Sequence, residues 1–312
     1  MNKDIKKIRD NIDSLDSKIL ELLNERAQEA VNISKEKQKT KDLDNFYNPE
    51  REAQVMRRIQ DLNQGPLSDK SILKLFREIM SSCLSLESPL KVSYLGPEGT
   101  YTHLATINHF GNSVLSNAFS SVEEVFASVE KRDSHYGVVP VENSTQGIVS
   151  STLDMFMKSS LKIAGEIEII INHNMLSKSD NPSDIKKIYA HPQSFSQCKQ
   201  WLDKNYADCD KVNALSNAEA ALIASKEKGT AAIASEAAAD IYGLNMLSKN
   251  IQDNQNNSTR FLVIGNRDTE PSGNDKTSII VSTKNNSGAL YELLKPLSKN
   301  NVSMTRIESR PS

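Results

Sequence analysis

Proline is absent before Pro49 and glycine before Gly65, so neither breaker interrupts a helix in the first forty-eight residues. No stretch approaches the ~20 consecutive apolar residues of a membrane-spanning helix. Cysteine is scarce, and Cys83, Cys198 and Cys209 have no metal-like spacing. That pattern points to a reduced protein without structural zinc or any other metal. The opening MNKDIKKIRDNID lacks the apolar core of a signal peptide, and a cytoplasmic location is expected. A formal net charge of -2 gives no electrostatic reason to expect nucleic acid or an anionic membrane as partner.

What is present divides the 312 residues into unlike parts. Ile5, Ile8, Ile12, Leu15, Ile19 and Leu22 recur at spacings of three and four, predicting a helix over about residues 3–38. So long a helix needs partner helices to bury its seam. Asn48 followed by Pro49 predicts the start of a second helix, Gly65 and Pro66 end it, and a third runs over about residues 68–87. After Pro89 short apolar strands alternate with helical stretches, the pattern of open α/β sheets. Residues 1–90 are read as a helical domain, 91–267 as an α/β domain of two lobes and 268–276 as a linker. Residues 277–312 are read as a last strand–helix–strand piece.

The heptad position shared by Ile5, Ile12 and Ile19 is next occupied by Arg26. A cation in an apolar seam is costly unless an anion meets it. Lys37 lies about 20° round the helix from Arg26 and about 16 Å further along, so both side chains can converge on one small anion. In the third helix Phe76, Met80 and Cys83 lead at the same spacing to Glu87, and Arg51 and Glu52 occupy the first turn of the second.

The stretches IRDNIDSLDSKILELLNERAQEAVNISKEK, NPERE and LFREIMSSCLSLE resemble the all-helical chorismate mutases. The resemblance implies an intertwined homodimer and a pericyclic rearrangement of chorismate to prephenate without cofactor. It implies that Arg9 and Arg26 hold the substrate carboxylates and that Lys37 reaches a carboxylate and the ether oxygen. Arg51 would support carboxylate binding and Glu52 would hold the ring hydroxyl. Asn48, Cys83 and Glu87 stand at positions where family members carry aspartate, serine, and glutamine or glutamate. The loop before Asn48 is expected to be about two residues longer than in some members. Arg9 lies about 25 Å along and about 100° round from Arg26, so the resemblance implies a site completed by the partner subunit. A protonated Glu87 could donate to the ether oxygen, and an apolar site would raise its pKa.

In the α/β part, GPEGTYTHLA, GVVPVENSTQG, HPQSFSQC and SNAEAA each follow an apolar strand and open a helix. NNSTRF then precedes a final strand. Strand ends offering hydroxyls, amides and helix N-termini suggest one cleft for a small carboxylate ligand. The ordered motifs resemble prephenate dehydratase over essentially the whole block. The resemblance implies two lobes like a periplasmic binding protein, and conversion of prephenate to phenylpyruvate by loss of water and carbon dioxide. Thr259 is implied as the residue most tied to catalysis, with Asn143, Ser144, Gln197 and Arg260 as binding residues. His191 and His103 are candidate acid–base groups, with structural hydrogen bonding as the plainer explanation.

The C-terminal NNSGALYELLKPLSKNNVSMTRIESRPS resembles the first half of an ACT domain, a ferredoxin-like α+β module. Gly288, Ala289, Leu290, Glu308, Ser309, Arg310 and Pro311 match its phenylalanine-binding motifs, implying phenylalanine as an allosteric inhibitor of a longer form. Half such a sheet cannot bury a face and is expected to be poorly stable. The order of the three resemblances is that of the bifunctional chorismate mutase–prephenate dehydratases. The competing expectation is a non-catalytic amino-acid sensor, which a cell-free assay of chorismate consumption separates from an enzyme.

Overall fold

The computed structural model describes residues 3–39, 47–145, 147–284 and 286–309. By internal contacts the chain divides after Asp275 into two units.

The first unit opens with helix α1 (Lys3–Lys39), followed by α2 (Pro49–Leu62) and α3 (Asp69–Glu87). Asp4 in the first turn of α1, and Lys37 and Lys39 in the last, match the helix dipole. Helix α2 starts where Asn48 accepts a hydrogen bond from the Arg51 N–H at 2.7 Å, with Pro49 at its first position. Ser68 caps α3 through the Ser71 N–H. At 1.5 Å per residue α1 is about 55 Å long and α3 about 28 Å, so α3 covers only half of it. Ala30 and Ser34 are buried, whereas Ile5, Ile8, Ile12, Leu15 and Ile19 stay 46–58% exposed. The seam expected to be packed is therefore covered within one chain only toward its C-terminal end. The expected extra length before Asn48 lies outside the described residues.

Helix α3 rests on the next domain at a close approach. A Cβ on Gly111 would lie 2.4 Å from that of Ser81, and the glycine's φ is +79°, so a side chain there meets both strain and a clash. Beside it Glu78 accepts from the side-chain amide and the backbone N–H of Asn112 at 2.9 and 3.2 Å.

The α/β domain has two lobes. The first contains β1 (Lys91–Leu95), α4 (Tyr101–Phe110), β2 (Leu115–Phe119), α5 (Val122–Glu130) and β3 (Tyr136–Asn143), then β4 (Gly147–Ile148), α6 (Ser150–Phe156) and β5 (Lys162–Ile170). The second contains β6 (Asn174–Ser177), β7 (Lys187–Ala190), α7 (Pro192–Gln197), α8 (Lys199–Asn205) and β8 (Asp210–Asn213). It continues through α9 (Asn217–Ala224), β9 (Thr230–Ala234), α10 (Glu236–Tyr242) and β10 (Asn245–Ser248). The chain then returns to the first lobe as β11 (Ser258–Gly265). The sheet orders are β2-β1-β3-β11-β5, with β4 on β3, and β10-β6-β9-β7-β8. Central strands such as β1 over Val92 to Tyr94 and β9 over Ala231 to Ala234 are buried on both faces, which explains why they lack an exposed polar alternation. Two crossovers join the lobes and bond to each other: Ile171 N–H to the Asn257 carbonyl, and Ile251 N–H to that of His173, each at 2.8 Å.

The second unit holds helix α11 (Ala289–Lys299). The strands expected near Thr277 and Val302 are not formed: residues 277–284 and 302–309 carry no ladder. A strand without a partner strand leaves most of its N–H and C=O groups to water, and no strand among the described residues of this unit pairs with either segment.

Candidate functional site

On the helical domain, Lys37 and Glu87 meet where α1 and α3 end side by side. The ammonium lies 3.7 Å from Glu87 Oε2, with the glutamate side chain only 8% exposed. Burial raises the Glu87 carboxyl above its ordinary pKa, and Lys37 opposes this in part. Oε2 has no hydrogen-bond partner among the described residues. Cys83, buried one turn before Glu87, carries a free thiol. Arg26 is exposed on the same broad face of α1, and Arg9 is exposed far toward the other end.

Two expected members of this site have other employment. The Asn48 side chain is the cap of α2, a role that its position before Pro49 dictates, and Arg51 is exposed beside it. Glu52 bonds Tyr47 and sits beside Arg77, at the joint where Tyr47 packs on Phe110 and reaches His109 Nε2 at 3.3 Å. Burial pushes Glu52 up to about 7 despite Arg77 and Tyr47. Burial and Arg77 together hold His109 down to about 4.

The second site is a cleft of about 200 Å³ between the α/β lobes. Strand β11 pairs with β3 in a register that sets Thr259 opposite Asn143. Asn143 Nδ2 donates to Thr259 Oγ1 at 2.7 Å, while Asn143 Oδ1 accepts from the Thr145 N–H at 2.9 Å, which fixes the amide's orientation. Thr259 Oγ1 is thus an acceptor toward Asn143, and its own hydrogen is left to point elsewhere. Thr259, Asn143, Gln197 and His191 all line the cleft. His191 Nδ1 accepts from the Gln193 N–H and caps α7.

Three candidates lie off the cleft lining. Strand alternation sends Arg260 to the face opposite Thr259, where it pairs with Glu142 at 3.4 Å and Glu166 at 3.5 Å. Ser144 Oγ donates to Asn257 Oδ1 and accepts from the Ser258 N–H, both at 3.0 Å, tying the turn after β3 to the start of β11. His103 stacks on Tyr94 and accepts from the Gly99 N–H at 3.3 Å.

The structure adds residues that the sequence reading passed over: Tyr101, His173, Gln193, Ser194, Asn217 and Ser235. Most fall inside the quoted motifs without having been singled out. His173 lies on the first crossover, and its only signal is the polar INHN between two apolar strands. Among the described residues lining the cleft there is no lysine, arginine, aspartate or glutamate. An anion there would be held by hydroxyls, amides and backbone N–H groups alone.

In the second unit, Gly288 caps α11 with φ +83°, and Ala289 and Leu290 open the helix. Glu308 pairs with Arg306 at 3.0 Å and Ser309 follows it; Arg310 and Pro311 lie outside the described residues.

Two family models match the chain, prephenate dehydratase over residues 92–269 and chorismate mutase type II over residues 8–88. A bifunctional chorismate mutase/prephenate dehydratase of Pseudomonas aeruginosa is 50% identical over 99% of this chain and 86% of its own length. Its Escherichia coli K12 counterpart is 31% identical over 97% and 84%. Among solved structures, a prephenate dehydratase of Arthrobacter aurescens in complex with L-Phe is 28% identical. It superposes with a TM-score of 0.63 over 72% of this chain and 77% of that one. A prephenate dehydratase of Staphylococcus aureus is 29% identical at a TM-score of 0.55, covering 71% and 85%. No helix among the described residues is long and apolar enough to cross a membrane.

Proposed function

The chain belongs to the family of bifunctional chorismate mutase/prephenate dehydratases, and from that premise we propose which of its residues carry each reaction. It rearranges chorismate to prephenate and converts prephenate to phenylpyruvate on the way to phenylalanine. The two reactions run at separate sites, one on the helical domain and one in the cleft between the α/β lobes.

The mutase site is built on Lys37 and Glu87, with Cys83 lining it, Arg26 on the same helix face and Arg9 supplied by a second copy. The rearrangement shifts electrons within chorismate and builds negative charge on the breaking ether oxygen. Lys37 offsets that charge, and a protonated Glu87 donates to the same oxygen. Arg26 and Arg9 hold the carboxylates. A homodimer is supported by the exposed apolar face from Ile5 to Ile19, which a second α1 would cover. Asn48 serves the helix start and Glu52 the joint with the α/β domain, so neither is assigned to substrate here.

In the cleft, the electrons of the bond to the departing carboxylate enter the ring, and the ring hydroxyl leaves as water with one proton gained. The observation that carries this assignment is Thr259, oriented by Asn143 so that its hydrogen is free to donate to the leaving oxygen. Gln197 and Asn143 bind the substrate alongside it. Free thiols at Cys83, Cys198 and Cys209 support a cytoplasmic setting. The Gly288–Leu290 and Glu308–Pro311 segments belong to a module through which phenylalanine would inhibit, as binding of L-Phe by the Arthrobacter protein suggests.

The test is Thr259→Ala, following prephenate and phenylpyruvate separately from chorismate. Phenylpyruvate formation should fall by about 10²- to 10⁴-fold, while prephenate formation stays unchanged. Loss of both activities in a folded variant would refute separate sites.

A further inference from the structure

The cleft must hold a dianion without a lysine or arginine in its lining, so the orientation of each neutral donor matters. An amide is useful to a carboxylate only through its N–H₂ end, and a flipped amide presents a carbonyl oxygen that repels it. Gln197 lines the cleft, and its Nε2 is buried without a hydrogen-bond partner among the described residues. Its Oε1 lies 2.7 Å from His173 Nε2. That contact is attractive only if His173 carries its hydrogen on Nε2.

Behind His173 the Tyr101 hydroxyl, which donates to the Asn172 carbonyl at 2.6 Å, lies 3.3 Å from His173 Nδ1 and braces the ring. The tautomer with its hydrogen on Nε2 is the one that makes the short contact to Gln197 Oε1 a hydrogen bond. Burial favours the neutral ring over its charged form. His173 is only 2% exposed, and its backbone is held on both sides. Its N–H donates to Gln252 Oε1 at 2.9 Å, and its carbonyl accepts from Ile251 at 2.8 Å. Gln197 is anchored in turn, its carbonyl accepting from the Asp253 N–H at 2.7 Å. The ring therefore has little freedom to follow a different amide orientation.

We infer that Tyr101 and His173 are positioning residues of the dehydratase: Tyr101 braces the His173 ring, and His173 holds the Gln197 amide with its N–H₂ end turned to a carboxylate of prephenate. The inference rests on the cleft being the prephenate site. It places His173 outside the reacting groups. The imidazole neither gives nor takes a proton during turnover, and its effect passes entirely through Gln197.

A double-mutant cycle on the full chain separates this role from the alternatives. Gln197→Ala and His173→Leu should each raise the KM for prephenate by about tenfold, the loss of one hydrogen bond to a charged group. The double variant should be no worse than Gln197→Ala alone. His173→Gln, whose amide can donate from the Nε2 position, should recover most of the loss. Tyr101→Phe keeps the ring packing and gives a milder cycle with Gln197→Ala if the leucine variant does not fold. Its smaller rise in KM should likewise vanish in the Gln197→Ala background. Additive effects of Tyr101→Phe or His173→Leu with Gln197→Ala would overturn the inference alone. An unchanged KM in Gln197→Ala would remove the cleft as the prephenate site and the inference with it.

Discussion

The joint between the helical and α/β domains carries two ionisable groups displaced in opposite directions, and their balance can be measured. Glu52 rises from its ordinary 4.5 to about 7 and His109 falls from 6.5 to about 4, burial being the first cause of each. Between pH 4.5 and 7 the unfolded chain has released the Glu52 proton and the folded chain keeps it. Glu52 therefore contributes stability that is complete below 4.5 and is lost as pH rises through 7. Between pH 4 and 6.5 the unfolded chain protonates His109 and the folded chain does not. His109 therefore contributes stability that is complete above 6.5 and is lost as pH falls through 4. At 1.36 kcal/mol per decade each contribution is about 3 kcal/mol, and the two nearly cancel where their windows overlap.

The perturbation is Glu52→Gln, which keeps an acceptor for the Tyr47 hydroxyl and removes the titration. Urea unfolding followed by far-UV circular dichroism from pH 4.5 to 7.5 gives its stability relative to the parent chain at each pH. Differences between the two proteins cancel every other titrating group. The variant should gain on the parent by about 3 kcal/mol across this range. His109→Gln should lose ground by a similar amount between pH 4 and 6.5, and the double variant should run parallel to the parent. Stability curves for Glu52→Gln and the parent that stay parallel would show that Glu52 keeps an ordinary pKa, and the buried-carboxyl account of the joint would fail.

Mutase kcat/KM should fall about tenfold per pH unit above the raised pKa of Glu87, because an ionised carboxylate repels the charge growing on the ether oxygen. Glu87→Gln should flatten that limb, and an unchanged profile removes Glu87 from the role. Arg9→Ala and Arg26→Ala, each inactive alone, should regain about a quarter of parental mutase activity when co-refolded, since statistical mixing restores one intact site in half of the dimers. No regain with mixed dimers demonstrated would place both arginines in sites made by one chain.

The helical domain was legible because its signals are local: the missing helix breakers, the Asn48–Pro49 start, and the run from Phe76 to Glu87. Asn48 is legible both as a cap and as a site residue, and its side-chain oxygen serves the cap. The cleft depends on pairing over long separations. Asn143 and Thr259 meet across 116 residues, a register that no short window reveals. Neighbours in a motif need not share a site, and Arg260 next to Thr259 shows why, since strand alternation puts it among Glu142 and Glu166. His173 could not be singled out because its importance comes from where two crossovers meet. The last residues read as strand–helix–strand by pattern, yet a strand is a property of a pair, and only the helix can form on its own bonds.

The contrast between the two sites has a physical rationale. Chorismate keeps both carboxylates through the rearrangement, so arginines that bind them equally well throughout cost nothing in rate. Prephenate loses one carboxylate as neutral carbon dioxide, and its charge moves away in the transition state. A cation on that carboxylate would stabilise the ground state more than the transition state and raise the barrier. Neutral donors bind less tightly and are given up at lower cost, which fits a cleft lined without lysine or arginine. Gln193, which lines the cleft and whose Nε2 lies 3.5 Å from Asn143 Oδ1, is the place to test this. Gln193→Lys should lower the KM for prephenate and lower kcat with it, each by about tenfold, leaving kcat/KM nearly unchanged. Mutase activity, carried by the helical domain, should not move. A lysine variant that binds more tightly and turns over as fast as the parent would show that charge on the departing carboxylate is immaterial to the barrier.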